Sequence, residues 1–146
     1  MAITQAIANN FKKLLLEGDS NFKASGGDVF KIALYSSSAT LNSATTSYTT
    51  GQEVGASGQY AAGGGKLVNS GTSITAGVAR VDWADRSWTG VTLTARGALI
   101  YNTSSTTTNS AVCILDFGGD KTATSGTFTV QFPAATSTAA ILRVSG

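Results

Sequence analysis

Apolar and polar positions alternate along most of the chain after residue 28, and recur at helical spacing only before residue 18. In residues 1–18, Ile3, Ile7, Phe11, Leu14 and Leu15 stand three or four positions apart, Asn9, Lys12 and Glu17 fall largely away from that stripe, and Gly18 supplies a stop. The spacing predicts an amphipathic N-terminal α-helix over 1–18. Beyond Gly26-Gly27 the period becomes two: Phe30, Ile32 and Leu34 share one face of a strand, and Val29, Lys31, Ala33 and Tyr35 share the other. Residues 36–65 hold few large aliphatic side chains and much Ser, Thr, Gly and Ala, which predicts a long loop broken by short strands. Long loops on a rigid sheet are usually functional surfaces.

Further strands are predicted at 66–68, 73–75 and 78–83, separated by Gly71 and Gly77, and then at 91–94, 97–101, 111–117, 127–132 and 140–144. Short, turn-spaced strands with a single proline, Pro133, predict one all-β domain over 1–146. Its architecture is an antiparallel β-sandwich, jelly-roll-like, of about eight strands with one N-terminal α-helix. Trp83 and Trp88 flank the polar stretch 84–87, an arrangement that plugs the end of a core.

Composition removes most catalytic readings. The chain has no histidine, hence no imidazole base and none of the commonest metal ligands. Its single cysteine, Cys113, lies in an apolar alternating run and reads as a buried, inert thiol. Charged residues make up 12% of the chain, against a usual share of about 25%, so the surface is polar but weakly charged. A net charge of +2 with only Lys12 and Lys13 adjacent gives no basic run for nucleic acid. No apolar stretch is long enough to span a membrane. The basic pair follows the first apolar residues instead of preceding them, so no secretory leader is expected and the chain should stay in the cytoplasm of the cell that makes it.

Several strings imitate chemistry. Asp116-Phe117-Gly118 copies a kinase metal-binding triplet without the rest of the kinase set, and reads as a turn after a strand. Gly63-Gly64-Gly65-Lys66 imitates a phosphate loop, but Tyr60 stands where the first glycine should be and Leu67 replaces the hydroxyl residue. Asp82, Asp85, Asp116 and Asp120 have no metal-ligand spacing, although a two-carboxylate glycosidase formally needs no histidine. Asn102-Thr103-Ser104 is a formal glycosylation sequon that reads as a polar turn. The expectation is a protein that is not an enzyme, with no catalytic, cofactor or metal residue.

The strings Asp28-Val29-Phe30-Lys31-Ile32-Ala33-Leu34-Tyr35-Ser36-Ser37-Ser38-Ala39-Thr40-Leu41, Thr45-Thr46-Ser47-Tyr48-Thr49-Thr50-Gly51-Gln52-Glu53-Val54 and Gly58-Gln59-Tyr60-Ala61-Ala62-Gly63-Gly64 resemble those of small β-rich virion proteins of tailed bacteriophages. So do residues 93–102 and 115–132. The resemblance implies a structural protein of the virus particle: a capsid decoration, or cement, protein on the outer surface of the head, or a module of the neck or tail that meets other tail proteins or a host receptor. A decoration protein would have the major capsid protein and further copies of itself, as a homotrimer, for partners, with no cofactor, nucleic acid or membrane. The helix and the 36–65 loop are then the expected contact elements, with Ile3, Ile7, Phe11, Leu14 and Tyr48 as anchors.

Overall fold

The structure, a computed structural model, describes residues 2–133 and 140–145. Along the chain come β1 (Ala6–Ile7), α1 (Asn9–Leu16), β2 (Phe30–Tyr35), β3 (Gly65–Lys66), β4 (Asn69–Thr75), β5 (Val78–Trp83), β6 (Arg86–Asn102), β7 (Ser110–Val130) and β8 (Leu142–Val144). Among the described residues these form two antiparallel sheets, one ordered β1-β7-β6-β2-β3 and the other β4-β5-β8. The all-β sandwich with one short helix expected from the sequence is what the chain forms, and most of its pairing comes from the local hairpins β4–β5 and β6–β7.

Residues 91–94 and 97–101, expected as two strands, are parts of β6, and 111–117 is joined to most of 127–132 within β7. The string Asp116-Phe117-Gly118 is therefore not a turn between strands. Ala95 pairs with Lys121 and Gly97 with Asp116, so five steps along β7 face two along β6. Gly118, at φ 79°, takes the left-handed conformation inside this bulge, which bends the strand and lets pairing resume. Beyond it the two strands form a ribbon whose inner face carries buried Trp88, Val91, Leu93 and Phe128. Its outer face is made of hydroxyls, with Ser87 against Thr129 and Thr94 against Thr122, each pair at 2.8 Å. The low charge of the sequence is thus met on this face by neutral polar groups.

The helix is shorter than the sequence predicts. Residues 2–7 are extended: Ile3 bridges Leu41, and Ala6 and Ile7 pair with Ile114 and Cys113 of β7. Met1, the first residue of the expected helix, lies outside the described residues. The physical reason is twofold. Ile3, Thr4 and Ile7 are β-branched and favour extended backbone. The edge of β7 also offers them hydrogen bonds that an uncapped helix start would lack. The helix begins only after Ala8, where the N–H of Asn9 reaches the Ser43 carbonyl at 2.8 Å. It ends where Gly18, at φ 76°, donates to the Leu15 carbonyl and Asp19 to that of Leu14.

Aromatic rings join the two sheets. Phe30 of β2 stacks on Phe22 with centroids 4.7 Å apart, and Trp83 of β5 leans on both, 5.5 Å from Phe30 and 5.9 Å from Phe22. Phe11 of α1 closes the group edge-on to Phe22 at 5.9 Å. Trp88 lies fully buried with Tyr60 edge-on at 5.4 Å, so both tryptophans are core residues. Cys113 is buried too, and loss of solvation pushes its thiol up to about 12.

Candidate functional site

The small sheet presents one apolar face, and only part of it is covered. Residues directly opposite each other in a ladder lie on the same side of the sheet. Val81 faces Thr72 and Leu142, and Ala79 faces Ile74 and Val144. At the Trp83 end this face packs into the aromatic core. At the other end it runs past the core, leaving Ile74 71% and Val144 61% exposed. Helix α1 flanks this overhang with Phe11, Leu15 and Leu16, the last 89% exposed. Between them lies an open, mainly apolar groove of about 530 Å³.

Of the five expected anchors, Ile7 and Phe11 line the groove. Phe11, Ile3 and Leu14 are all buried, Phe11 at the groove wall, Ile3 in the core and Leu14 beneath the helix, so of the five only Ile7 offers groove surface to a partner. Tyr48 is half-buried: its ring stacks on Tyr101 at 4.8 Å and its hydroxyl donates to Glu53 at 2.6 Å. Sequence reasoning missed Leu16, Ile74 and Val144. A signal for the first was present, because Leu14-Leu15-Leu16 at 100° intervals spreads apolar surface wider than one core-facing stripe. The other two needed the strand register and the overhang of the small sheet, neither of which is local.

The 36–65 segment is fastened rather than free. Leu41 and Tyr60 are buried, and Glu53 sits at the centre of the four tyrosines. Its carboxylate accepts from the Tyr48 hydroxyl at 2.6 Å, the Tyr60 hydroxyl at 2.7 Å and the Gly63 N–H at 2.8 Å. The Tyr60 oxygen also accepts the Leu34 N–H at 2.8 Å, Tyr35 donates to the Thr49 carbonyl at 2.6 Å, and Tyr101 donates to the Gly63 carbonyl at 2.6 Å. Gly64, at φ 78°, is held so close to the backbone of Ile32 that a Cβ has no room. The triple glycine therefore serves strand packing, and its Gly63 N–H already serves a carboxylate.

This arrangement sets an alkaline limit. Loss of solvation, with the nearby Glu53 charge, pushes Tyr101 up to about 12 and raises Tyr35, Tyr48 and Tyr60 still further. The neutral phenol is thus favoured in the fold over the unfolded chain, where it ionises near pH 10. The stabilisation is complete below about pH 10 and is lost as pH rises through the folded values. Phenolate absorbance and the far-ultraviolet dichroism should accordingly change together above that pH, as one cooperative step. Four tyrosines ionising near pH 10 with the dichroism intact would contradict the arrangement.

The remaining look-alike motifs are occupied structurally. Asp116 accepts from Arg96 at 3.2 Å and from the Gly118 N–H at 2.9 Å, and Asp85 accepts the Phe132 N–H at 2.8 Å. The Gly118 N–H and the Arg96 guanidinium hold Asp116 below the usual carboxylate range. Asn102 is buried, its amide donating to Asp28 at 2.8 Å and its carbonyl oxygen accepting the Ser104 N–H at 2.8 Å, so the sequon is an internal brace. Among the described residues no three His, Cys, Asp or Glu side chains gather as a metal site, and no helix is long and apolar enough to cross a membrane.

Fold and site together define a small antiparallel sandwich with one exposed apolar groove as its most distinctive surface. Comparison with protein-family models, curated proteins and solved structures finds no match.

Proposed function

We propose that the chain is a structural protein of a tailed-bacteriophage virion, a capsid decoration protein that binds as a homotrimer over junctions between major capsid protein subunits on the outside of the head. The observation that carries a binding role is the groove: Leu16 and Val144, on its walls, are large, apolar and exposed. Exposed apolar surface of this kind marks contact sites. The resemblance of residues 28–41, 45–54, 58–64, 93–102 and 115–132 to phage virion proteins supplies the setting.

The mechanism is assembly by mass action. A groove of this size makes a contact of modest strength, and symmetry repeats it over a lattice. A protein that binds only the assembled shell raises the cost of taking that shell apart. The weakly charged surface suits this use, because neighbouring copies do not repel one another at close range.

Copy number tests the reading. On a gel of purified particles the band of this chain should approach the intensity of the major capsid protein. A few copies per particle would instead move the protein to the neck or tail, where it would act as a collar or fibre-base module.

A further inference from the structure

Strand β7 folds back on itself. A straight strand would hold Phe117 and Phe128 about 36 Å apart, yet their rings meet with centroids 6.1 Å apart. Two slips of register against β6 accompany the bend: Asp116 and Lys121 pair with Gly97 and Ala95, and Ala123 and Gly126 pair with Leu93 and Val91. Beyond Ile114, which pairs with β1, the edge of β7 away from β6 has no strand partner among the described residues. Between the two arms of the bend lies a cleft of about 370 Å³. Lys121 and Phe128 line it from the inner face of the ribbon, and Thr122 and Thr129 from the outer face, so it opens on the free edge of the strand.

The lining combines one accessible aromatic ring with hydroxyls and an amide. Phe117 is half-buried and backed by buried Phe128 and Val130, whereas Thr127, Thr129, Gln131 and Lys121 are exposed. Thr122 and Thr129 bond Thr94 and Ser87 at 2.8 Å through single hydrogen bonds and keep further acceptor capacity. Hydroxyl and amide side chains both donate and accept, so they match a ligand whose own groups do the same. From this set we infer that the cleft binds a saccharide. The C–H face of a sugar ring packs on the negative face of the Phe117 ring, and its hydroxyls exchange hydrogen bonds with Thr127, Thr129 and Gln131. Lys121 adds a donor for a further sugar oxygen.

Two other ligands fit less well. A wholly apolar molecule would strip water from the Thr127 and Thr129 hydroxyls and the Gln131 amide without replacing those hydrogen bonds. A partner strand added to the free edge needs a straight run of β7, and one laid along 127–131 meets Phe117, Lys121 and Thr122 on the other arm. A compact ring with polar groups on its rim suits a bent, concave edge. The inference goes beyond the virion role, and the cleft shares no lining residue with the apolar groove.

The test uses the full chain and hexasaccharides of glucose, N-acetylglucosamine and galactose, followed by isothermal titration and saturation-transfer NMR. At least one of the three should bind with a Kd of about 1 mM or tighter, its ring C–H protons receiving the strongest saturation. Phe117→Ala should weaken that binding at least about tenfold, and so should Phe117→Leu, which keeps apolar volume but not the flat ring. Thr127→Val removes only a hydroxyl and should weaken it about fivefold. Thermal unfolding checks that each variant is folded, and if Phe117→Ala is not, Phe117→Leu and Thr127→Val decide. Binding of none of the three hexasaccharides overturns the inference. So does binding that Phe117→Leu and Thr127→Val leave at the wild-type affinity.

Discussion

Removing residues 1–18 is expected to leave a chain with no cooperative unfolding transition, one that binds hydrophobic dyes and aggregates. The segment is exposed in part, and a detachable docking arm would be dispensable for folding. Its contacts say otherwise. Ile3, Ala8, Phe11 and Leu14 are all buried, and Phe11 closes the aromatic group that joins the two sheets. Truncating one buried Phe costs about 3–5 kcal/mol and one buried Ile or Leu about 2–5, so these losses together approach the roughly 5–15 kcal/mol that holds a whole domain. The deletion also strips β7 of its partner at Cys113 and Ile114, leaving an open edge of the kind that pairs with other chains. Thermal denaturation followed by dichroism decides the matter. A sharp transition and a monomeric, soluble product would show that the segment is an appendage.

Replacing Glu53 with alanine is expected to lower stability by about 3–5 kcal/mol, because hydrogen bonds to a charged acceptor are worth more than neutral ones and three donors lose their partner at once. Those donors are the hydroxyls of Tyr48 and Tyr60 and the N–H of Gly63. In a domain of this size the melting temperature should fall by about 10 °C or more. Glu53→Gln keeps one carbonyl acceptor and should recover part of the loss, whereas Tyr48→Phe removes a single bond and should cost about 1–2 kcal/mol. The series has an internal check: the alanine variant should also bring tyrosine ionisation to lower pH, since the loop that shields the phenols is no longer fastened. A Glu53→Ala protein as stable as wild type would show that the carboxylate is solvated and the cluster incidental.

The sandwich was legible in the sequence because alternation is a local signal. Phe30, Ile32 and Leu34 are each buried, as their period requires. The strand ends were less legible. Joining 111–117 to the following strand depends on a bulge at Gly118, and a glycine after Asp-Phe reads equally as a turn. The helix was overextended because Ile3 and Ile7 keep helical spacing with Phe11, while their actual partners, Leu41 and Cys113, are distant in sequence. Tyr48 reads from the sequence as a partner anchor on the 36–65 loop, and only folding sets it against Tyr101 and Glu53. The groove was half legible for the same reason. Ile7 and Phe11 belong to a local stripe, but Val144 joins them through the register of β5 with β8.

A three-dimensional reconstruction of the intact particle that carries this chain tests the central claim most directly. Density for the sandwich is expected on the outer face of the shell, repeated over the lattice, with the Leu16–Val144 groove turned toward a neighbouring subunit. Density confined to the neck or tail, or a lattice copy whose groove faces solvent, would contradict it.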